Sequence, residues 1–277
     1  MEIEIFSVPF NLGEIKENIT ITTTKPSQPS KEQLIEQAFR FHTQGDVSKA
    51  AKYYQYFINQ GFKDHRVFSN YGVILKNLGK LKEAERYQRK AIQIQPDYAD
   101  AHSNLGSILR KLGKSQDAEL SYRKAIELKP NFADAHFNLG NLLKELGKLQ
   151  NAELSTRKAI EIKPNYAEAH TNLGNLLKEL GNLKEAELSY RKAIEIKPDF
   201  AEVNSNLGNI LTDLGKLEEA LYYYKKANNL NKNLDEATGG IGKIQLKKGN
   251  FRDGIFNLRK AYGSISFSYE NSDIIIN

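Results

Sequence analysis

The stretch Ala169–Gly181, "AHTNLGNLLKELG", is nearly repeated at 135–147 as "AHFNLGNLLKELG" and at 101–113 as "AHSNLGSILRKLG". The copies start 34 residues apart, and a fixed period of this length is the signature of stacked supersecondary units. Proline keeps the same step at Pro96, Pro130, Pro164 and Pro198. Two glycine series keep it as well, one through Gly72, Gly106, Gly140, Gly174, Gly208 and Gly242, the other through Gly45, Gly79, Gly113, Gly147, Gly181, Gly215 and Gly249.

Each period reads as two antiparallel helices. In 99–132 the apolar residues Ala101, Leu105, Ile108, Leu109 and Leu112 recur on one face of a helix. Gly113 ends that helix, since a left-handed terminal residue is best supplied by glycine. A second helix carries Ala118, Tyr122, Ala125 and Ile126 on one face and stops before Pro130. Gly106, without a side chain, lets the pair approach closely. Asp97, Asn131, Asn165 and Asp199 are expected to cap the first helices, each with an acid three residues on, at Asp100, Asp134, Glu168 and Glu202. The "GGIG" at 239–242 is expected to loosen its helix.

The spacing, with "NLG" early, an alanine such as Ala118, Ala152 or Ala186 midway, "KAI" later and proline at the end, resembles the tetratricopeptide repeat family. The resemblance covers seven units, at 31–64, 65–98, 99–132, 133–166, 167–200, 201–234 and 235–268, of which the first and last are degenerate. It implies an all-α fold, a right-handed superhelical solenoid of antiparallel helix pairs with a concave groove. Residues 1–30, rich in Ser, Thr and Pro, read as a flexible leader, and 269–277 as a C-terminal tail. Strand-like alternation at Ile265, Phe267 and Tyr269, followed by Ile274 to Ile276, gives that end two expectations: it folds back over the last unit, or it offers an edge to a partner.

Composition removes several function classes. There is no cysteine, so disulfides, thiolate metal sites and a cysteine nucleophile are excluded. No apolar run approaches the roughly 18 residues of a membrane span, and the first residues are acidic where a secretory signal is basic. A cytoplasmic location is expected. The net charge of +6 raises nucleic acid as a partner. However, Glu85 and Arg89, Glu119 and Arg123, Glu153 and Arg157, and Glu187 and Arg191 stand four apart as helix-surface pairs, and acids interleave with bases throughout, which disfavours it. His102, His136 and His170 recur once per unit, too far apart to share one ion, so no metal site is expected. Nucleophile elbow, phosphate loop and paired histidine ligands are all missing from the sequence. The expectation is a chain without catalytic residues or cofactor.

Asparagine is a mediocre helix former, yet it recurs in every central first helix. A rotation of 100° per residue groups Glu168, Asn172, Asn175 and Glu179 on the flank that faces the groove. Asn70, Asn104, Asn138, Asn172 and Asn206 then form a ladder, with Asn141, Asn175 and Asn209 beside it. An amide offers a donor and an acceptor, as an extended peptide main chain requires. The ladder resembles that of the repeat arm of the O-linked N-acetylglucosamine transferases. The same amides could instead bond to adjacent units and hold the superhelix.

The expected function is a protein–protein interaction scaffold that holds an extended peptide or protein segment in the groove. Two alternatives stand beside it: an arm presenting protein substrates in trans to a glycosyltransferase or other transferase, and a self-assembling array that forms a homo-oligomer through its terminal units. The aromatic runs "YYQYF" at 53–57 and "YYYKK" at 222–226 suggest a docking patch that includes Tyr53 or Tyr223.

Overall fold

The computed structural model describes residues 29–263, with the backbone of two short strands beyond them. Nearly all of the expected leader, and Tyr269 of the tail, lie outside the described residues. The first helices of successive pairs are α1 (Lys31–Thr43), α3 (His65–Asn77), α5 (Ala99–Lys111), α7 (Ala133–Glu145), α9 (Ala167–Glu179), α11 (Ala201–Asp213) and α13 (Asp235–Lys247). The second helices are α2 (Val47–Asn59), α4 (Leu81–Ile94), α6 (Ser115–Leu128), α8 (Leu149–Ile162), α10 (Leu183–Ile196), α12 (Leu217–Leu230) and α14 (Phe251–Tyr262). Each second helix packs on its own first helix and, up to α12, on the first helix of the next pair, so the molecule is an all-α repeat superhelix.

The glycines between the helices of each pair adopt the conformation expected of them. Gly113 has φ of 75°, its N–H donates to the Arg110 carbonyl, and the next N–H, of Lys114, reaches back to Leu109 at 2.9 Å. This double closure satisfies the last carbonyls of α5, and the same φ near 75° recurs from Gly45 to Gly249.

The helix starts correct the sequence expectation. The N-cap positions of α5, α7, α9 and α11 are Tyr98, Phe132, Tyr166 and Phe200, none of which makes a side-chain capping bond. Asp97, Asn131 and Asp199 instead follow the proline in a reverse turn closed by the amides of Tyr98, Phe132 and Phe200. Proline presets the turn's first central residue and a short polar residue suits the next, so turn formation uses the residue that capping would have needed. At Phe132, Tyr166 and Phe200 the aromatic that follows is covered by a lysine from the end of the preceding helix, while at Tyr98 that position is Gln95. The Nζ of Lys129, Lys163 and Lys197 sit 4.7, 4.3 and 4.6 Å above the rings of Phe132, Tyr166 and Phe200.

The "GGIG" segment is likewise corrected. It lies inside the unbroken helix α13, where Gly239, Gly240 and Gly242 are buried. A Cβ at Gly240 would stand 2.4 Å from the Tyr224 ring, and one at Gly239 would stand 2.2 Å from the Tyr262 hydroxyl. The glycines admit two rings to the helix surface. After α14, β1 (Ile265–Phe267) and β2 (Ile274–Ile276) pair antiparallel, Ile265 with Ile276, so the strand-like alternation is realised as a hairpin.

The core runs between the two helix layers, with Tyr54, Tyr122 and Tyr190 fully buried in it. At Gly174 an added Cβ would lie 2.6 Å from the Tyr190 ring. Overpacking of this kind costs about 1–3 kcal/mol, against about 1 kcal/mol gained when alanine replaces glycine in a helix. Gly174→Ala is therefore expected to lower the urea midpoint of unfolding. An unchanged or raised midpoint would mean that the ring yields without loss of packing.

Candidate functional site

Successive first helices approach one another, α3 to α5, α5 to α7, α7 to α9 and α11 to α13, while second helices make no comparable approach to the next second helix. A stack whose first helices are closer together bends toward them, so their outward faces form the inner surface of the superhelix. Both asparagine rows lie on these helices, and nearly all of their members are half-buried; Asn172, 8% exposed, is the most enclosed of the ladder.

The second helices fix the orientation of these amides. Each central pair aims one buried side chain at the first-helix glycine: Gln88 at Gly72, Tyr122 at Gly106, Thr156 at Gly140, Tyr190 at Gly174 and Tyr224 at Gly208. The Tyr190 hydroxyl donates to Asn175 Oδ1 at 2.7 Å, and the Tyr224 hydroxyl donates to Asn209 Oδ1 at 2.7 Å. In the ladder the polarity is reversed. Asn70 Nδ2 donates to the Tyr54 hydroxyl at 3.3 Å, Asn104 Nδ2 to Ser69 Oγ at 3.3 Å and Asn172 Nδ2 to Thr156 Oγ1 at 3.4 Å, each acceptor belonging to the preceding pair. Asn138, Asn141 and Asn206 make no side-chain hydrogen bond among the described residues. Burial raises the Tyr54 and Tyr122 hydroxyls to about 12 and raises Tyr190 also, which keeps these groups protonated at neutral pH.

Charged side chains form rungs along the inner layer. Arg110 pairs with Glu145, and Lys144 with Glu179 at 2.8 Å, each joining one first helix to the next. A second system joins the outer helices. Glu85 accepts from Arg89 of its own helix at 2.8 Å and from Lys114 of the next pair at 2.9 Å, and Glu119 and Glu187 repeat the arrangement with Lys148 and Lys216. The lysine that would serve Glu153 is replaced by Asn182, and both Arg157 and Arg191 reach forward to the next pair, to Glu185 at 2.7 Å and to Glu219 at 2.6 Å.

The three periodic histidines have a local role: their Nε2 atoms lie 2.9 Å from the carbonyls of Pro96, Pro130 and Pro164 and, as donors, hold the turns between pairs. Among the described residues no group of three ligating side chains could hold a metal ion. Of the aromatic runs, Tyr54, Phe57 and Tyr224 are buried, Tyr53 stacks on Phe41, and the Tyr223 hydroxyl accepts from Arg191 at 3.0 Å. The most exposed apolar row was not singled out from the sequence. It comprises Leu120, Leu154, Leu188, Tyr222 and Phe256, each 62–67% exposed on successive second helices. The 34-residue step of this row was the available signal.

This architecture defines a helical-repeat scaffold, and comparison with known families gives it a name. A model described as TPR repeat matches 106–147, and three described as Tetratricopeptide repeat match 133–166 with 167–200, 65–98, and 87–119 with 189–222. Together they span 65–222 without a gap, more than half of the chain. The chain belongs to the tetratricopeptide repeat family.

Among solved structures, MamA is similar at 27% identity and a TM-score of 0.54, over 58% of this chain and 94% of MamA. YrrB, described as a TPR protein with an unusual peptide-binding site, is similar at 23% identity and a TM-score of 0.57, over 72% of this chain and 100% of YrrB. PilF of Pseudomonas aeruginosa is similar at 19% identity and a TM-score of 0.65, over 72% of this chain and 93% of PilF. The last two likenesses concern the fold alone. No curated protein matches the sequence. No helix of the described residues is long and apolar enough to cross a membrane.

The outer ion pairs predict an acid-sensitive fold. At Glu187 burial would raise the carboxyl, but the hydrogen bonds from Lys216 and Arg191 outweigh it and hold the group below its ordinary 4.5. A depressed native pKa contributes stability above the unfolded value, and this is lost as pH falls through the native one. Glu187→Gln is thus expected to lower the urea midpoint at about pH 7 and to narrow its drop between about pH 7 and about pH 3. Equal drops in the two proteins would remove Glu187 from the acid response.

Proposed function

We propose that the inner surface binds an extended segment of another protein and grips its main chain. The observation that carries this reading is the opposite polarity of the two asparagine rows. Asn175 and Asn209 commit their carbonyl oxygens to tyrosine hydroxyls, which leaves their N–H groups to donate. Asn104 and Asn172 commit an N–H to the preceding pair, which leaves their carbonyl oxygens to accept. Helix α9, which carries both commitments, thus offers one donor at Asn175 and one acceptor at Asn172 about a turn apart, the complement of a peptide C=O and N–H. With first helices about 8–10 Å apart and extended chain rising about 3.3–3.6 Å per residue, each pair meets roughly every third residue of the segment.

A protein-interaction scaffold is the role that the repeat fold supports, and contacts of this kind are indifferent to side-chain sequence. A second reading, self-association, draws on the exposed row from Leu120 to Phe256, which is continuous over five successive second helices.

The test compares proteins captured from cell lysate by the wild-type chain, by an Asn104→Ala, Asn138→Ala, Asn172→Ala variant, and by a Leu120→Gln, Leu154→Gln, Leu188→Gln variant, after circular dichroism shows all three folded. Groove binding predicts that captured proteins are lost from the asparagine variant and retained by the leucine variant. Matching wild-type and asparagine-variant profiles would assign the amides to holding the pairs together.

A further inference from the structure

Two rows run across the outer, second-helix surface at the 34-residue step. One is the exposed apolar row that ends in Tyr222 and Phe256. The other lies one turn further along each helix and holds two adjacent cations: Arg123 and Lys124, Arg157 and Lys158, Arg191 and Lys192, Lys225 and Lys226, Arg259 and Lys260. On α6, α8 and α10 each arginine is paired with the glutamate four residues before it, and each lysine with the glutamate three residues after it. On α12 those acid positions are Leu221 and Asn229, and on α14 they are Ile255 and Gly263. The cations are kept and both acids are gone. Lys90 on α4 also lacks its second acid, at Gln93, but its ammonium lies over the rings of Phe68 and Tyr87 at 5.7 and 5.4 Å, and Arg86 stands where the apolar row would continue.

The excess is local. From 221 to 263 nine cations stand against three acids, an imbalance equal to the net charge of the whole chain. No ion pair among the described residues engages Lys225, Lys226, Arg259 or Lys260. Glu218 and Glu219 are bound to Lys248 and Arg191, and Asp253 accepts from Asn250 Nδ2 at 2.8 Å. Phe251, exposed at the start of α14, adds a third ring to the patch.

We propose that the outer face of α12 and α14 docks the protein on an anionic lipid surface, with Tyr222 and Phe256 entering the interface and Lys225, Lys226, Arg259 and Lys260 meeting lipid phosphates. Long cationic side chains lay their stems along apolar groups and extend their heads to phosphate, which suits cations three and four residues beyond a protruding ring. Each such charge adds attraction to an anionic leaflet. A nucleic-acid strand fits less well, because the row continues through Leu188, Leu154 and Leu120, which offer no ring for a base to stack on but enter acyl chains readily. A second copy packed face to face through this patch would set its cations against their equivalents. Docking by the outer face leaves the groove open, so this proposal goes beyond the groove reading.

The test sediments the full chain with vesicles of phosphatidylcholine and phosphatidylglycerol at about three to one, and with phosphatidylcholine alone, at low ionic strength. Binding is expected with the mixed vesicles only. It should fall about tenfold or more in Lys225→Gln, Lys226→Gln and about fivefold or more in Tyr222→Ser, Phe256→Ser. Arg123→Gln, Lys124→Gln also removes two cations, but paired ones far from the patch, and should change binding by less than about twofold. Circular dichroism shows each variant folded.

Equal binding to both vesicles, equal losses in the two cation variants, or no loss in the ring variant overturns the proposal. Absence of vesicle binding also overturns it. In that case, retention of poly-uridylate that is lost in Lys225→Gln, Lys226→Gln assigns the patch to nucleic acid, and a concentration-dependent mass in light scattering that is lost in Tyr222→Ser, Phe256→Ser assigns it to a second copy. None of the substituted residues lies on a first helix, so the outcome is separate from that of the asparagine test.

Discussion

The contact between a buried side chain of each second helix and a bare glycine of its partner underlies the rest of this structure. At Gly106, Gly174 and Gly208 the space where a Cβ would stand is filled by the rings of Tyr122, Tyr190 and Tyr224. That approach brings the tyrosine hydroxyl through the pair to the inner layer, where two of these hydroxyls orient an asparagine. The same side chains therefore set the distance between the helices and the hydrogen-bonding polarity of the surface beyond them. Where threonine or glutamine replaces tyrosine, at Thr156 and Gln88, the neighbouring bonds change partner while the glycine stays closely covered.

Electrostatic links then run in one direction along the array. Glu85, Glu119 and Glu187 each hold a cation of their own helix and a lysine of the following pair, so every such carboxylate is shared between two units. Exposed ion pairs of this kind are worth little singly, but these carboxylates are mostly covered, and each receives two donors. Much of the positive charge is distributed through these links, and on the inner layer Arg110 and Lys144 are matched by Glu145 and Glu179.

The parts of the fold legible in the sequence were those governed by backbone geometry. A glycine every 34 residues at a left-handed turn, and a proline where a helix must stop, leave the backbone little choice, and both series mark the observed helix ends. Features that depend on competition between neighbours were harder to read. Asp97 could cap a helix or complete a turn, and the proline before it decided for the turn. The glycines of "GGIG" could loosen a helix or accept a ring, and only the positions of Tyr224 and Tyr262, distant in sequence, decide between these. The asparagine rows were visible as a pattern, but their polarity was not, because it is set by hydroxyls on other helices. The ion pairs between first helices, Arg110 with Glu145 and Lys144 with Glu179, were hidden for a related reason: a spacing of 35 has meaning only once first helices are known to pack side by side.

Because each pair of helices touches only the pairs before and after it, tension applied between α1 and α14 passes through every junction in turn. Springs in series share an extension and bear one common force. The glycine contacts lie within pairs and resist opening of a pair. The junctions between pairs rely on Tyr98, which packs against His65, on Phe132, Tyr166 and Phe200 under their lysine covers, and on the shared carboxylates. Such a chain gives way gradually along its whole length, and a partner lying in its curve would be held by a compliant coil.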